Sequence, residues 1–170
     1  MNRALLLVMS LLLVPRLLMA EDYIGIFSDA SGTSCELAPG YSTTATVVHF
    51  SGGSTGSRFR VALSPGSALF GFNSPFVTTG LLTTDMSVGY GQCLVGTFAV
   101  GTIVANWLPG VAAVVAIDGM PFITFTDCQA NEFPAIGGYA YVGLHGDRCF
   151  FVDPLATEHS TWGHVKALYR

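Results

Sequence analysis

Between Tyr23 and Phe151 no run of residues keeps apolar side chains at helical spacing for more than a turn or two. Short apolar segments alternate instead with clusters of Gly, Ser, Thr, Pro and Asp, a rhythm that leaves strands as the means of burying apolar surface. The candidate strands are Tyr23 to Phe27, Thr44 to Phe50, Arg58 to Leu63, Ala68 to Phe72, Met86 to Tyr90, Thr97 to Ala105, Val111 to Ile117, Pro121 to Thr126 and Gly138 to Leu144. The clusters Gly52-Gly53-Ser54-Thr55-Gly56 and Ser64-Pro65-Gly66 read as turns, and Asp118-Gly119 predicts a tight hairpin spanning Val111 to Asp127. In Arg58 to Leu63 the residues Phe59 and Val61 fall on one side of a strand and both arginines on the other, where two like charges guard a sheet edge. Val111 to Ile117 carries nothing polar and reads as a central strand covered on both faces. Strands at this spacing, with one-sided and two-sided patterns mixed, predict an all-β fold: an antiparallel two-sheet β-sandwich, favoured over a closed barrel.

The N-terminus is of a different kind. Met1-Asn2-Arg3 is followed by an apolar or small run from Ala4 to Val14, then Pro15-Arg16-Leu17-Leu18-Met19-Ala20 ahead of the acidic Glu21-Asp22. One positive charge, a short apolar stretch, a proline and a small residue at the cut describe a secretory signal peptide at 1–20. The run is too short to span a bilayer, and the later run Val111 to Ile117 stops at Asp118, so no membrane span is expected after cleavage. The rest holds 5 basic against 11 acidic residues, which argues against nucleic acid as a partner. The expected location is therefore secreted, whether extracellular, at a cell surface or periplasmic. All of Cys35, Cys93, Cys128 and Cys149 lie beyond the cut. In an exported chain they predict two disulfides with three pairings open, and no Cys-x-x-Cys spacing points to zinc or to a redox pair.

The sandwich is expected over 21–153, and from 154–170 the composition turns polar before Thr161-Trp162-Gly163-His164-Val165-Lys166-Ala167-Leu168-Tyr169-Arg170. This ending predicts a linker and a short C-terminal amphipathic helix. Trp162, Val165 and Leu168 or Tyr169 share its face, and Lys166 and Arg170 sit at its C-terminal end. Too short to hold a helix alone in water, the tail is expected to dock, on its own sandwich or as an interaction element.

Chemistry finds little support. There is no Gly-x-Ser-x-Gly elbow for a serine nucleophile, no phosphate loop and no dinucleotide fingerprint. His49, between Val48 and Phe50, reads as a core or strand-face histidine, and His145 as a turn residue. Glu158, His159 and His164 do not share a helix face suited to a metal. Asp29-x-Ser31-Gly32 lacks the remaining ligands of a calcium loop. No cofactor and no metal is expected. Tyr139 and Tyr141 alternate on one side of a strand and form the candidate glycan face.

Several of these stretches resemble a known group. Tyr23-Ile24-Gly25-Ile26-Phe27-Ser28-Asp29 with Gly32-Thr33-Ser34-Cys35, Gly56-Ser57-Arg58-Phe59-Arg60-Val61, Gly89-Tyr90-Gly91-Gln92-Cys93 and the Trp-Gly-x-x-Lys-Ala-Leu-Tyr-Arg ending are similar to short secreted bacterial proteins of unknown function. That resemblance implies a further cysteine where this chain has Trp107-Leu108-Pro109, so it assigns no partner to Cys93. The Gly-then-Phe-x-Val strand is also similar to cohesin-like and immunoglobulin-like sandwiches, which implies a fold and no activity. The expectation is a secreted, non-enzymatic surface or structural protein acting through protein contacts or self-association. The alternatives are a carbohydrate-binding module and a small hydrolase. The first needs Tyr139 and Tyr141 exposed in a row; the second needs His49 or His145 within reach of a serine or carboxylate in a cleft.

Overall fold

The computed structural model describes residues 22–120 and 122–143, together with the backbone of 150–152. Its strands are β1 (Tyr23–Phe27), β2 (Glu36–Leu37), β3 (Gly40–Ala62), β4 (Ala68–Asn73), β5 (Val77–Leu81), β6 (Asp85–Trp107), β7 (Gly110–Val115), β8 (Ile123–Asp127), β9 (Glu132–Val142) and β10 (Phe150–Val152). There is no helix among the described residues. The expected C-terminal helix, with Trp162, Val165, Lys166, Leu168, Tyr169 and Arg170, lies outside them, as do His145 and Cys149.

The strands join into one hydrogen-bonded sheet, ordered β1-β9-β7-β3-β6-β4, in which β1 also pairs with β3 and so closes part of the path on itself. β3 and β6 form its spine, a long antiparallel pair running from Gly40 opposite Trp107 to Phe59 opposite Met86. On the side of β3 away from β6 the neighbour changes along the strand. Thr46 to Phe50 pairs with β1, whereas Ser54 to Arg58 pairs with β8 and Arg60 to Ala62 with β7. The sheet forks at the irregularity between Ser51 and Ser54, and there it divides into the two layers of a sandwich. Alternating inward residues fill the interior, among them Phe59 and Val61 of β3, Ile103 and Trp107 of β6, and Ala112 and Val114 of β7.

Several sequence expectations are corrected here. Gly52–Gly56 is no turn: β3 runs straight through it, as β6 runs through Gly89–Cys93, so four expected strands become two. In β3 glycine serves close approach. A Cβ on Gly56 would meet the Val88 carbonyl oxygen at 2.8 Å, and one on Gly53 would meet Cys128 Sγ at 3.2 Å with φ at +143°. The turn at Asp118-Gly119 forms, with Met120 N–H donating to the Ile117 carbonyl, but it does not make a hairpin. Both β7 and β8 pair with β3 on one side and β9 on the other, so they are two halves of one strand interrupted by an excursion. Nor is Val111 to Ile117 covered on both faces, because Val111 is 43% exposed while Ala112 is buried. Arg58 and Arg60 guard no edge, since β3 is central. Arg58 makes a two-pronged pair with Asp85, and Arg60 donates to the Ala116 carbonyl and lies 3.3 Å from Asp118.

The fork is closed from outside by a disulfide between Cys93 of β6 and Cys128 beyond β8, passing over Gly53 of β3. Cys35 is also disulfide-bonded. Cys93 and Cys128 are 35 residues apart, and a loop of that size restricts the unfolded chain by about 4 kcal/mol. Replacing both with alanine should lower the free energy of urea unfolding by roughly 3 to 4 kcal/mol; a loss below about 1 kcal/mol would show that the bridge is no clamp.

Candidate functional site

Backbone donors at a fork inside a protein lose their ladder partners and must find others. Asp22, immediately ahead of β1, supplies them. Its Oδ1 accepts from Gly52 N–H at 2.8 Å, and its Oδ2 accepts from Ser51 Oγ at 3.0 Å and lies 3.1 Å from His49 Nε2. A carboxylate only accepts, so Nε2 carries a proton toward it. The other ring nitrogen, Nδ1, lies 2.8 Å from the Tyr90 hydroxyl, which donates to Ser57 Oγ at 2.7 Å. Ser51 Oγ accepts from Gly53 N–H and pairs with Ser54 Oγ. The result is a connected polar string, Asp22–His49–Tyr90–Ser57, with a serine pair attached.

Every member is buried. Asp22 is 1% exposed, His49 0%, Tyr90 5% and Ser57 5%. Aromatic rings enclose it: Phe98 lies 5.3 Å from His49 and 5.0 Å from Tyr90 between centroids, and Phe125 and Phe76 pack on the same two rings. Desolvation by these neighbours raises the Tyr90 phenol well above its ordinary value, against the smaller opposing effect of Ser57. Among the described residues no buried side-chain nitrogen or oxygen is left without a partner. His49 therefore meets the first condition of a hydrolase, a carboxylate within hydrogen-bond reach, but not the second. Asp22, Tyr90 and Ser57 are buried with it, and the ring itself is 0% exposed, so it presents no surface to a substrate. The sequence reading of His49 as a core histidine is the one the geometry bears out.

Other polar groups are committed to local structure. The Asp29 carboxylate accepts from the backbone of Ser31, Thr33 and Ser34 and from the Ser31 hydroxyl, bonds that hold it below the usual carboxylate range. These bonds close the loop from Asp29 to Ser34 on itself. Asp127 caps the β8–β9 turn by accepting from Gln129 and Asn131. A shallow hollow beside Met120, Phe122 and Pro134 contains Glu132, which accepts from Thr124 at 2.6 Å. No cluster of three metal-ligating side chains occurs among the described residues.

Tyr139 and Tyr141 do share one face of β9. They are half-buried, and their rings meet edge to face at 5.5 Å and 83°, so they offer an angled pair and not a coplanar platform. Burial and a bond to Tyr141 push the Tyr139 phenol up to about 12. The surface feature that the sequence did not reveal is β5. All five of its residues are exposed, with Val77 at 75% and Leu81 at 68%, and among the described strands it pairs with β6 alone. A strand exposed on both faces shows no alternation, so periodicity could not find it.

No family model matches this chain, and no curated protein does. Among solved structures its fold is similar to that of a non-cellulosomal cohesin from the hyperthermophilic archaeon Archaeoglobus fulgidus, at a TM-score of 0.50 and 12% identity, covering 74% of this chain and 93% of that one. A complex of CaDoc0917 with CaCohA2 at pH 5.5 also contains a similar chain, at a TM-score of 0.48 and 9% identity, covering 71% and 99%. The first likeness is one of fold, and it agrees with the cohesin-like sandwich that the sequence led us to expect.

Two outcomes follow from the buried string. Asp22→Ala strands His49 Nε2, Ser51 and Gly52 N–H together and should destabilise the protein by about 3 to 5 kcal/mol in urea, with Asp22→Asn costing less. A loss within 1 kcal/mol would mean that the fork is held by other means. The second outcome concerns alkali. The unfolded state releases the Tyr90 proton near pH 10.0 whereas the folded state keeps it, so above that pH the unfolded chain binds fewer protons. Stability should therefore be insensitive to Tyr90 below pH 10.0 and fall as pH rises beyond it, and Tyr90→Phe should flatten that fall in urea titrations run up to pH about 11.

Proposed function

We propose that this chain is a non-catalytic interaction module. It is exported by the leader at 1–20 and acts outside the cytoplasmic membrane through protein contacts. The observation that carries this reading is β5, a strand left uncovered among the described residues, with Val77 75% and Leu81 68% exposed. Exposed aliphatic side chains on a free edge, with backbone donors and acceptors alongside, are what a partner strand or loop engages. Next to it on the same outer face, Ser87 and Gly89 of β6 keep the surface low, and the Arg58–Asp85 pair, 42% and 44% exposed, supplies directional charge. Arginine is favoured in such patches because its fork bonds carboxylates in fixed geometry. The sealing of His49, Asp22 and Ser57 inside the core supports a role without catalysis. The likeness in fold to a cohesin supports it as well, since that neighbour suggests a protein-interaction module. In this reading the 154–170 tail, with Trp162, Val165 and Leu168, is a second attachment element outside the described residues.

A photo-crosslinking amino acid placed at Val77 or Leu81 in the producing cell should give a discrete protein adduct, and the same group at the exposed loop residue Ser31 should not. Equal adducts from all three positions, or none from Val77 and Leu81, would overturn the assignment of this face.

A further inference from the structure

At the opposite end of the β3–β6 spine, two β-bulges face each other across β6. Between Gly40 and Thr43 the strand β3 carries one residue more than its partner, and between Leu69 and Gly71 the strand β4 does the same. The first falls opposite Asn106, between Trp107 and Ala105, and the second between Ala105 and Val104, so the two flank Ala105 of β6. Each turns an aromatic ring outward. Tyr41 is 78% exposed and Phe70 48%, and their rings meet at 5.0 Å and 55° across the intervening strand. Ser42 completes the first bulge in the left-handed region, φ 57°, with no glycine to relieve it. Bulges re-aim side chains, and strain of this kind persists where the surrounding structure enforces it. Here what is re-aimed is an aromatic pair directed away from the core.

The surroundings define the ligand chemistry. Pairing places Thr44 opposite Val104, Thr46 opposite Thr102, Ala68 opposite Asn106 and Asn73 opposite Thr102, all on the outward side, because the alternate residues Ala45, Ile103 and Ala105 are buried. No charged side chain lies in this outward row. The described ion pairs Arg58–Asp85 and Arg60–Asp118 are at the other end of β3. Beside Phe70, Gly71 leaves open space, since a Cβ there would meet nothing within 4 Å. A partner protein read through charge or through a large apolar core would find neither here. Tilted rings flanked by hydroxyls and amides suit a neutral polyol, whose apolar C–H face packs on an aromatic ring while its hydroxyls exchange hydrogen bonds with Thr and Asn. We propose that Tyr41 and Phe70, with Asn106 and Thr44, form a binding site for uncharged carbohydrate. It is separate from the β5 contact face and from the Tyr139–Tyr141 pair, and it does not depend on the protein-contact reading above.

The test uses the full chain in native gels cast with hydroxyethyl cellulose, laminarin or galactomannan, all uncharged, beside dextran sulfate. At least one uncharged polysaccharide should retard the protein. Tyr41→Ala and Phe70→Ala should each weaken that retardation by at least about tenfold in affinity, with unchanged far-ultraviolet circular dichroism. Val77→Asp, on the other face, should leave it intact. The site is overturned by retardation in dextran sulfate alone, by retardation that survives both aromatic substitutions, or by no retardation in any uncharged gel. It is also overturned if the aromatic substitutions abolish self-association in light scattering and leave polysaccharide retardation as it was, since the rings would then contact protein.

Discussion

A sheet that forks within a protein interrupts its own ladder, and the donors released there must be bonded without water. In this sandwich one carboxylate does most of that. Asp22 accepts from the backbone of Gly52, the hydroxyl of Ser51 and the ring of His49, and so fastens the start of β1 to the point where β3 exchanges one neighbour for another. Tyr90 carries the same string of bonds to β6, and the Cys93–Cys128 bridge closes over Gly53 on the outer side. Polar satisfaction within and a covalent tie without act on the same few residues. β3 can pass so close to Cys128 and Val88 because Gly53 and Gly56 take the place of side chains that would collide.

How far the sequence revealed this depended on whether a residue's neighbours in sequence are also its neighbours in space. Where one face of a strand is buried, alternation was sufficient: β1 was delimited without error, and Phe59 and Val61 point inward as expected. Gly52–Gly56 misled because glycine permits both a turn and a close crossing, and only the distant Cys128 and Val88 determine which. The supposed hairpin failed for the same reason, since β7 and β8 are arranged by β3 and β9 and not by each other. Among the site residues His49 was legible as a core histidine from its apolar flanks. Its partners Asp22 and Tyr90 were not, because they are 27 and 41 residues away.

The molecule separates its chemistry by depth and by end. Groups that elsewhere perform proton transfer are sealed among Phe76, Phe98 and Phe125, where they stabilise one arrangement of strands. The surface divides along the spine. One end carries the ion pairs and the apolar edge of β5, and the other carries two aromatic rings among neutral side chains. The two surfaces differ in polarity and lie at opposite ends of the β3–β6 pair.

The place of β1 bears on the order in which the molecule is assembled. It lies between β3 and β9, antiparallel to the one and parallel to the other, with Tyr23 beside both Phe50 and Ile136. A chain emerging with its N-terminus first holds this strand half-partnered until Ile136 has followed, over a hundred residues later. Contacts of such separation form slowly. The first strand of the fold is thus among the last to be locked, and an N-terminal strand fixes its second edge only when nearly all of the sandwich has been made.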